Sequence, residues 1–399
     1  MDVLSPLRKL TSLELNSEHT RTNREVLRAL YGLQDRKLES LTLSFNNVNY
    51  NRMISLGKSD FFYLSTICVK KLNLSGNAIG WISWEAIKSW TGRTCLEVLD
   101  ISRNQLFTGR LLKYLVLFPS ITHVNMAYMG DALMMRKRDI PFKMQIFFFL
   151  PGNLHYLNIT YSPIFSPKQN VAYGRGNNLQ VLDASYPTRQ TSCSSGLVKG
   201  LVHLTELDMS SAQCSNPNPE MFTEMPNLSR LRARQCNLKI SFDSNKPYLF
   251  SGLNLSVVYI SSNDLNRLDI RVFEDQTNSL KTLILVRNAM ERIPSEVFQR
   301  VSVLETLDLS HNLISTLGTS EYAELDALQL KRDKFRVNLF GNPLVCSCHN
   351  LVSISWIRRT RALYKKNSLS CITLDGSQMK IGIFLETFDD FKNSCVSQL

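Results

Sequence analysis

The stretch LETLDLSHN, Leu304 to Asn312, carries leucine at its first, fourth and sixth positions and asparagine at its ninth. The same spacing, L-x-x-L-x-L-x-x-N, returns in LESLTLSFN from Leu38, LEVLDISRN from Leu96 and LKTLILVRN from Leu280, and with other aliphatics in VKKLNLSGN from Val69 and LSVVYISSN from Leu255. Weaker copies begin at Leu10, Ile121, Leu154, Leu179, Leu204 and Leu228, and a last one ends at Asn342, giving thirteen units 24 to 33 residues apart. A period of that length means that each unit is one supersecondary element too small to bury its own apolar face, so neighbours must stack. The 399-residue length would otherwise suggest two or three compact domains.

The periodicity predicts an α/β solenoid, a leucine-rich-repeat horseshoe with a concave parallel sheet of about thirteen strands. The first, fourth and sixth positions point into the core, and the third, fifth, seventh and eighth point outward. Serines at the seventh position, Ser44, Ser75, Ser102 and Ser310, suit a solvated surface. The ninth-position Asn turns inward, where its amide partners backbone groups that would otherwise be buried unpaired. Cys236 takes that place in LSRLRARQC, as a small apolar substitute with a weak donor.

A solenoid's apolar end needs an atypical cover. Residues 1–333 read as the repeat array, and 334–399 as the last strand and such a cap. Here GNPLVCSCHNLVSISWI, Gly341 to Ile357, puts Cys346 and Cys348 one residue apart, with Cys371 and Cys395 following and Trp356 and Ile357 as apolar plugs. Gaps of 22 and 23 residues after Cys-x-Cys do not make two close pairs of metal ligands, so disulfides to distant partners are expected. The block resembles the cysteine-rich C-terminal cap of Toll-like receptors and related extracellular leucine-rich-repeat proteins. The resemblance implies pairing of Cys346 with Cys371 and of Cys348 with Cys395. It also implies a cysteine-bearing N-terminal cap, a membrane helix and a cytoplasmic signalling domain that this chain lacks, so the chain reads as an ectodomain fragment, incomplete at both ends.

No apolar run reaches the roughly 18 to 20 residues that cross a bilayer, and the N-terminus has no signal-peptide pattern. The sequons at Asn73, Asn158, Asn227 and Asn254 fit an exported glycoprotein. Asn73 and Asn158 hold the fifth strand position, on the concave face. Cys68 and Cys95 each precede the first position of adjacent repeats, within bonding range once the repeats stack, and Cys193 and Cys214 lie in consecutive loops. Separate buried thiols are the alternative for both pairs.

The six histidines are scattered and there is neither a phosphate-cradling glycine loop nor a nucleophile elbow, so an enzyme is not expected and no cofactor or metal is implied. Recognition should use the outward strand positions. Tyr128, Tyr161 and Tyr186 take the eighth position in three successive repeats, with Tyr156 and His123 on the same face. Those repeats replace the ladder Asn with Met129, Ser162 and Pro187, and the first carries the insertion MMRKRDIPFKMQIFFF. This irregular, aromatic group is the expected ligand-binding region, although the tyrosines could instead pack on the insertion's phenylalanines.

RLRAR sets Arg230, Arg232 and Arg234 outward on one strand; Glu206 and Asp208, at matching positions of the preceding strand, should neutralise the first two and leave Arg234 freest for an anion. The basic run WIRRTRALYKK in the cap reads as a solvated surface, close to the membrane in an intact receptor. The formal charge of +12 bears on partners and not on fold. The resemblance implies a pattern-recognition ectodomain for a protein, lipid or glycan ligand, signalling as a homo- or heterodimer from the cell surface or an endosome. A secreted or tethered adhesion or guidance protein and a cytosolic scaffold are the rivals.

Overall fold

The computed structural model describes all residues except 1–3, 17–22, 45–52, 131–145, 163–170, 175, 188–197, 215–216, 218, 239–248, 270, 374 and 397–399. The chain forms two compact units, one ending at Ala212 and the other running from Gln213 to Leu399. Thirteen parallel strands follow one another in chain order, as the repeat count requires. The first unit holds eight of them, from Ser12–Glu14 through Tyr156–Asn158 and Val181–Asp183 to Glu206–Asp208; the second holds five, from Arg230–Arg232 to Arg336–Asn338.

Most strands are only three residues long and coincide with the third to fifth repeat positions. Their central residue and the sixth-position residue are apolar and buried, as with Leu99 and Ile101 or Leu307 and Leu309. The registers align like positions: Asn125 lies between Asp100 and Asn158, and Leu283 between Val258 and Leu307. Short helices and single turns such as Trp84–Ser89, Thr108–Tyr114 and Ser295–Arg300 return the chain to the next strand.

The ninth-position amides behave as a ladder. Asn104 accepts from the amides of Asn77 and Ile79 at 3.1 and 3.0 Å and donates to the carbonyls of Leu74 and Ile101, both at 2.9 Å. Asn312 accepts from Met290 and donates to Leu285 and Leu309 in the same way. Cys236 is buried, its thiol donates to the Arg234 carbonyl at 3.4 Å, and the Asn263 side-chain oxygen from the following repeat accepts from its backbone N–H at 2.8 Å.

Two features of the turn lie beyond the sequence reading. The eighth residue is left-handed in repeat after repeat, with φ near +55° at Arg103, Tyr128, Ser262, Arg287 and His311. The seventh residue is not solvated: Ser102 and Ser310 are buried, and Ser75 is half-buried. The cause is local. In eight repeats the seventh-residue amide turns back to donate to the fifth-position side chain, at 2.9 Å from Ser102 to Asp100 and from Ser310 to Asp308; where the seventh side chain is small this folds it under the turn, whereas Phe340 in the last repeat stays exposed.

The cap closes the second unit as expected. Cys346 bonds Cys371 and Cys348 bonds Cys395, with Cα separations of 5.7 and 5.3 Å. Helix Leu351–Arg359 buries Trp356 and Ile357, and the Trp356 indole N–H donates to Asp326 at 2.8 Å. Cys68 and Cys95 are also bonded, and Cys214 is disulfide-bonded; its expected partner Cys193 lies outside the described residues.

Replacing Asn104 with Ala strands the buried amides of Asn77 and Ile79 and the Ile101 carbonyl at once, while the Leu74 carbonyl keeps its bond from Asn77. With each unsatisfied group worth about 1–3 kcal/mol, chemical denaturation is expected to show a loss of about 3 kcal/mol or more. For the cap, Cys348→Ser with Cys395→Ser is expected to cost about 2–5 kcal/mol and to lower the melting temperature, while non-reducing peptide mapping of the parent recovers both linked peptide pairs.

Candidate functional site

The eighth-position turns place three tyrosines side by side. Tyr128 and Tyr161 stack with ring centroids 4.6 Å apart and planes 13° from parallel, and Tyr161 and Tyr186 stack at 4.6 Å and 4°. Their backbones form the second rung of each turn: the Tyr128 amide donates to Thr160 at 2.7 Å, Tyr161 to Ser185 at 3.1 Å and Tyr186 to Ser210 at 2.7 Å. A bulky side chain in left-handed backbone costs about 1–2 kcal/mol, while each offset aromatic pair returns about 0.5–1.5 kcal/mol. The two stacks therefore offset a large part of the strain.

The row stays open to solvent, with Tyr128 51%, Tyr161 36% and Tyr186 38% exposed. What it offers differs from three separate anchors. The inner faces are consumed by stacking, so a partner meets ring edges, phenolic hydroxyls and the outer faces of the end rings. Tyr128 is flanked on its outer side by the Arg103 guanidinium, 6.0 Å from the ring centroid. Exclusion of water, then the Tyr186 and Tyr128 phenols, raise the Tyr161 hydroxyl above its ordinary range.

A parallel row stands at the third position, where His123 and Tyr156 stack at 5.8 Å. Burial first, then Asp183, raises the Tyr156 phenol. Between the rows run Asp100, Asn125, Asn158 and Asp183, with Asn125 donating to Asp100 at 3.0 Å. This middle row is structural, because each of its four side chains accepts from the amide two residues on.

Asn158 is half-buried in that row and Asn73 is held in the same way by Ser75, whereas Asn227 and Asn254 are exposed just ahead of their strands. The basic part of the insertion, 131–145, lies outside the described residues; the tyrosines stack on one another, and Phe149 lies against Gly174.

In the second unit, Arg232 and Arg234 both lie over the Tyr259 ring, at 5.3 and 4.8 Å from its centroid. Arg234, expected as the freest of its strand, is thus tied to the next repeat through cation–π contact, with its side chain still exposed. In the cap, Arg358 pairs bidentately with Asp389 at 2.6 and 3.0 Å and Lys366 donates to the Arg358 carbonyl at 2.8 Å, so only part of the basic run is solvated. Among the described residues no group of His, Cys, Asp or Glu could hold a metal ion, and no helix is long and apolar enough to cross a membrane.

The leucine-rich-repeat family model matches residues 253–314 and 278–335. Toll-like receptor 7 of Mus musculus is 26% identical over 350 residues, 84% of this chain and 30% of that protein. The CD180 antigen of Mus musculus is 26% identical over 264 residues, 52% of this chain and 40% of that protein. Trophoblast glycoprotein of Macaca fascicularis is 29% identical over 114 residues, 29% of this chain and 26% of that protein. The solved TLR13–ssRNA13 complex shares the fold, with a TM-score of 0.54 and 17% identity over 95% of this chain and 57% of its own. The chain covers less than half the length of these curated relatives. The chain has the leucine-rich-repeat fold, and in sequence it resembles Toll-like receptor 7 and CD180 as well as trophoblast glycoprotein.

The strain at the central tyrosine can be read directly. Tyr161→Ala removes both stacks and keeps a side chain in left-handed backbone, and is expected to cost about 1–3 kcal/mol. Tyr161→Gly removes the same stacks but relieves the strain, and is expected to be the more stable of the two by about 1 kcal/mol in urea denaturation.

Proposed function

We propose that this chain is the ligand-recognition ectodomain of a Toll-like innate immune receptor, with the tyrosine row of residues 121–187 as its contact surface. The observation that carries the reading is an exposed, prestacked aromatic ribbon, Tyr128, Tyr161 and Tyr186, beside a second pair, His123 and Tyr156. Aromatic side chains supply much of the energy in interfaces, and a stack held before binding loses little conformational freedom on contact. The likeness to Toll-like receptor 7 and CD180 supports the receptor assignment.

On this reading the array, 1–333, meets a protein, lipid or glycan ligand and 334–399 closes its end. Arg234 gives a secondary polar contact, and two copies or a related receptor pair on ligand. Residence on the extracellular face or in an endosomal lumen fits three described disulfides with both partners assigned, with glycans at Asn227 and Asn254 and, where the sheet leaves room, at Asn73 and Asn158. The likeness to trophoblast glycoprotein favours a second reading, a secreted or tethered adhesion protein.

The test fuses the chain to a membrane helix and a Toll-like cytoplasmic domain in reporter cells, which then receive protein, lipid, polysaccharide and nucleic-acid fractions of heat-killed bacteria. One fraction is expected to give a response that falls at least about tenfold when Tyr128, Tyr161 and Tyr186 all become Ala. A control triple at the same repeat position, Gln235→Ala, Arg287→Ala and His311→Ala, is expected to keep it. Equal loss in both, or a full response from a folded tyrosine triple, rejects the site. Silence to every fraction together with binding to cell-surface proteins supports the adhesion reading.

A further inference from the structure

A second feature of the first unit lies in the segments that connect its strands. We propose that the groove between strand Ile79–Ile82 and helix Thr108–Tyr114 binds one single-chain fatty acid, its hydrocarbon on the groove floor and its carboxylate on Arg110.

The groove encloses about 520 Å³, a volume ordinary for small-ligand sites. Ile82, Leu106 and Leu111 form its buried apolar floor, and the Trp81 and Tyr114 rings its walls. Trp81 is 44% exposed, unusual for so large an apolar side chain, and it is held outward by its strand. A register shift between Ile54 and Ser55 sets the small Ser55 opposite Trp81, so no bulky side chain from that strand lies beside the indole. Gly80 has no Cβ where one would come within 2.8 Å of the Met53 sulfur, so Met53 closes one end of the groove.

Arg110 is the one charged residue among those lining it, and no carboxylate lines it. The guanidinium centre lies 3.8 Å from the Trp81 ring centroid, and among the described residues Arg110 has no ion pair. Stacking of that kind uses the guanidinium face and leaves its N–H edge available, the edge that grips a carboxylate through two parallel hydrogen bonds. An apolar trough with a single fixed cation at its wall selects an amphiphile with one chain and one negative charge. A neutral chain would forgo the charge-assisted bonds, and a two-chain lipid needs more trough than this volume offers.

Equilibrium dialysis of the disulfide-intact chain against monomeric dodecanoate is expected to show one saturable equivalent. Dodecanol is expected to bind at least about tenfold more weakly, and Arg110→Leu to bring dodecanoate down to the dodecanol level. Ser55→Trp fills the groove from an exposed position; with an unchanged circular dichroism spectrum, it is expected to abolish binding of both. Brominated dodecanoate should quench tryptophan fluorescence in the parent and quench it much less in Trp81→Phe. The proposal is overturned if acid and alcohol bind alike, if Arg110→Leu keeps full affinity, if uptake does not saturate and ignores Ser55→Trp, or if phosphatidylglycerol vesicles are bound while monomeric dodecanoate is not. None of these outcomes bears on the tyrosine row, which lies at the turns that follow the strands.

Discussion

Each repeat must bring its backbone out of a strand and around a corner inside the apolar core, and the peptide groups at that corner have no strand partner. The ninth-position amide meets this constraint. One side chain provides two donors and a carbonyl acceptor, and Asn104 uses them on backbone groups of two neighbouring turns. An unpaired buried group costs about as much as one or two core methyl groups contribute, so this position tolerates little change. The left-handed residue just before it has the same origin, since only that backbone sense swings the asparagine inward while letting its own N–H reach the next repeat, as His311 does with Phe340 at 2.7 Å.

With the corner fixed, the open face of the sheet divides by row. Fifth-position Asp and Asn are committed to the turn, which explains why that row stays polar and short through most of the array. Freedom to vary remains at the third and eighth positions, and there the chain places its exposed aromatic pairs. The second unit departs from the rule at Arg232, Tyr259 and Ile284, where the fifth position gives up the turn acceptor. The cation–π contacts of Arg232 and Arg234 on Tyr259 tie the first two of these turns together instead.

The fold was legible because its signal is periodic. Leucines at fixed offsets report the core side of a strand whatever the rest of the repeat contains, and Cys68 with Cys95 could be paired because stacking makes like positions neighbours. The cap pairing came through resemblance, since four cysteines alone leave several connectivities open. What escaped was geometry set by backbone sense. Gly76 and Gly341 at the eighth position were a hint of left-handed backbone, but tyrosines and arginines at the same place masked it. Burial of Ser102 depends on a hydrogen bond two residues back, a relation that hydrophobic patterning does not register. The groove at Trp81 depends on a register shift between two short strands, which no residue type announces.

The irregular repeats show how the two demands meet. Where the ladder amide lapses, Ser162 covers part of its work by donating to the Met126 carbonyl at 2.7 Å, and Met129 fills the same space with apolar volume alone. Fewer inward ties hold these turns to their neighbours, and the tyrosine stack adds outward ones, repeat to repeat, at a spacing close to that of the strands themselves. A row that bears structural load is poorly placed to open its rings for a ligand, since inserting a group between two of them would break the tie. Contact is therefore confined to edges, hydroxyls and the two ends of the stack, and of the ends the Tyr128 face is already flanked by Arg103. The same stacking that makes the row rigid thus limits its ligands to those that lie along it, a constraint on shape that the chemistry of tyrosine alone would not impose.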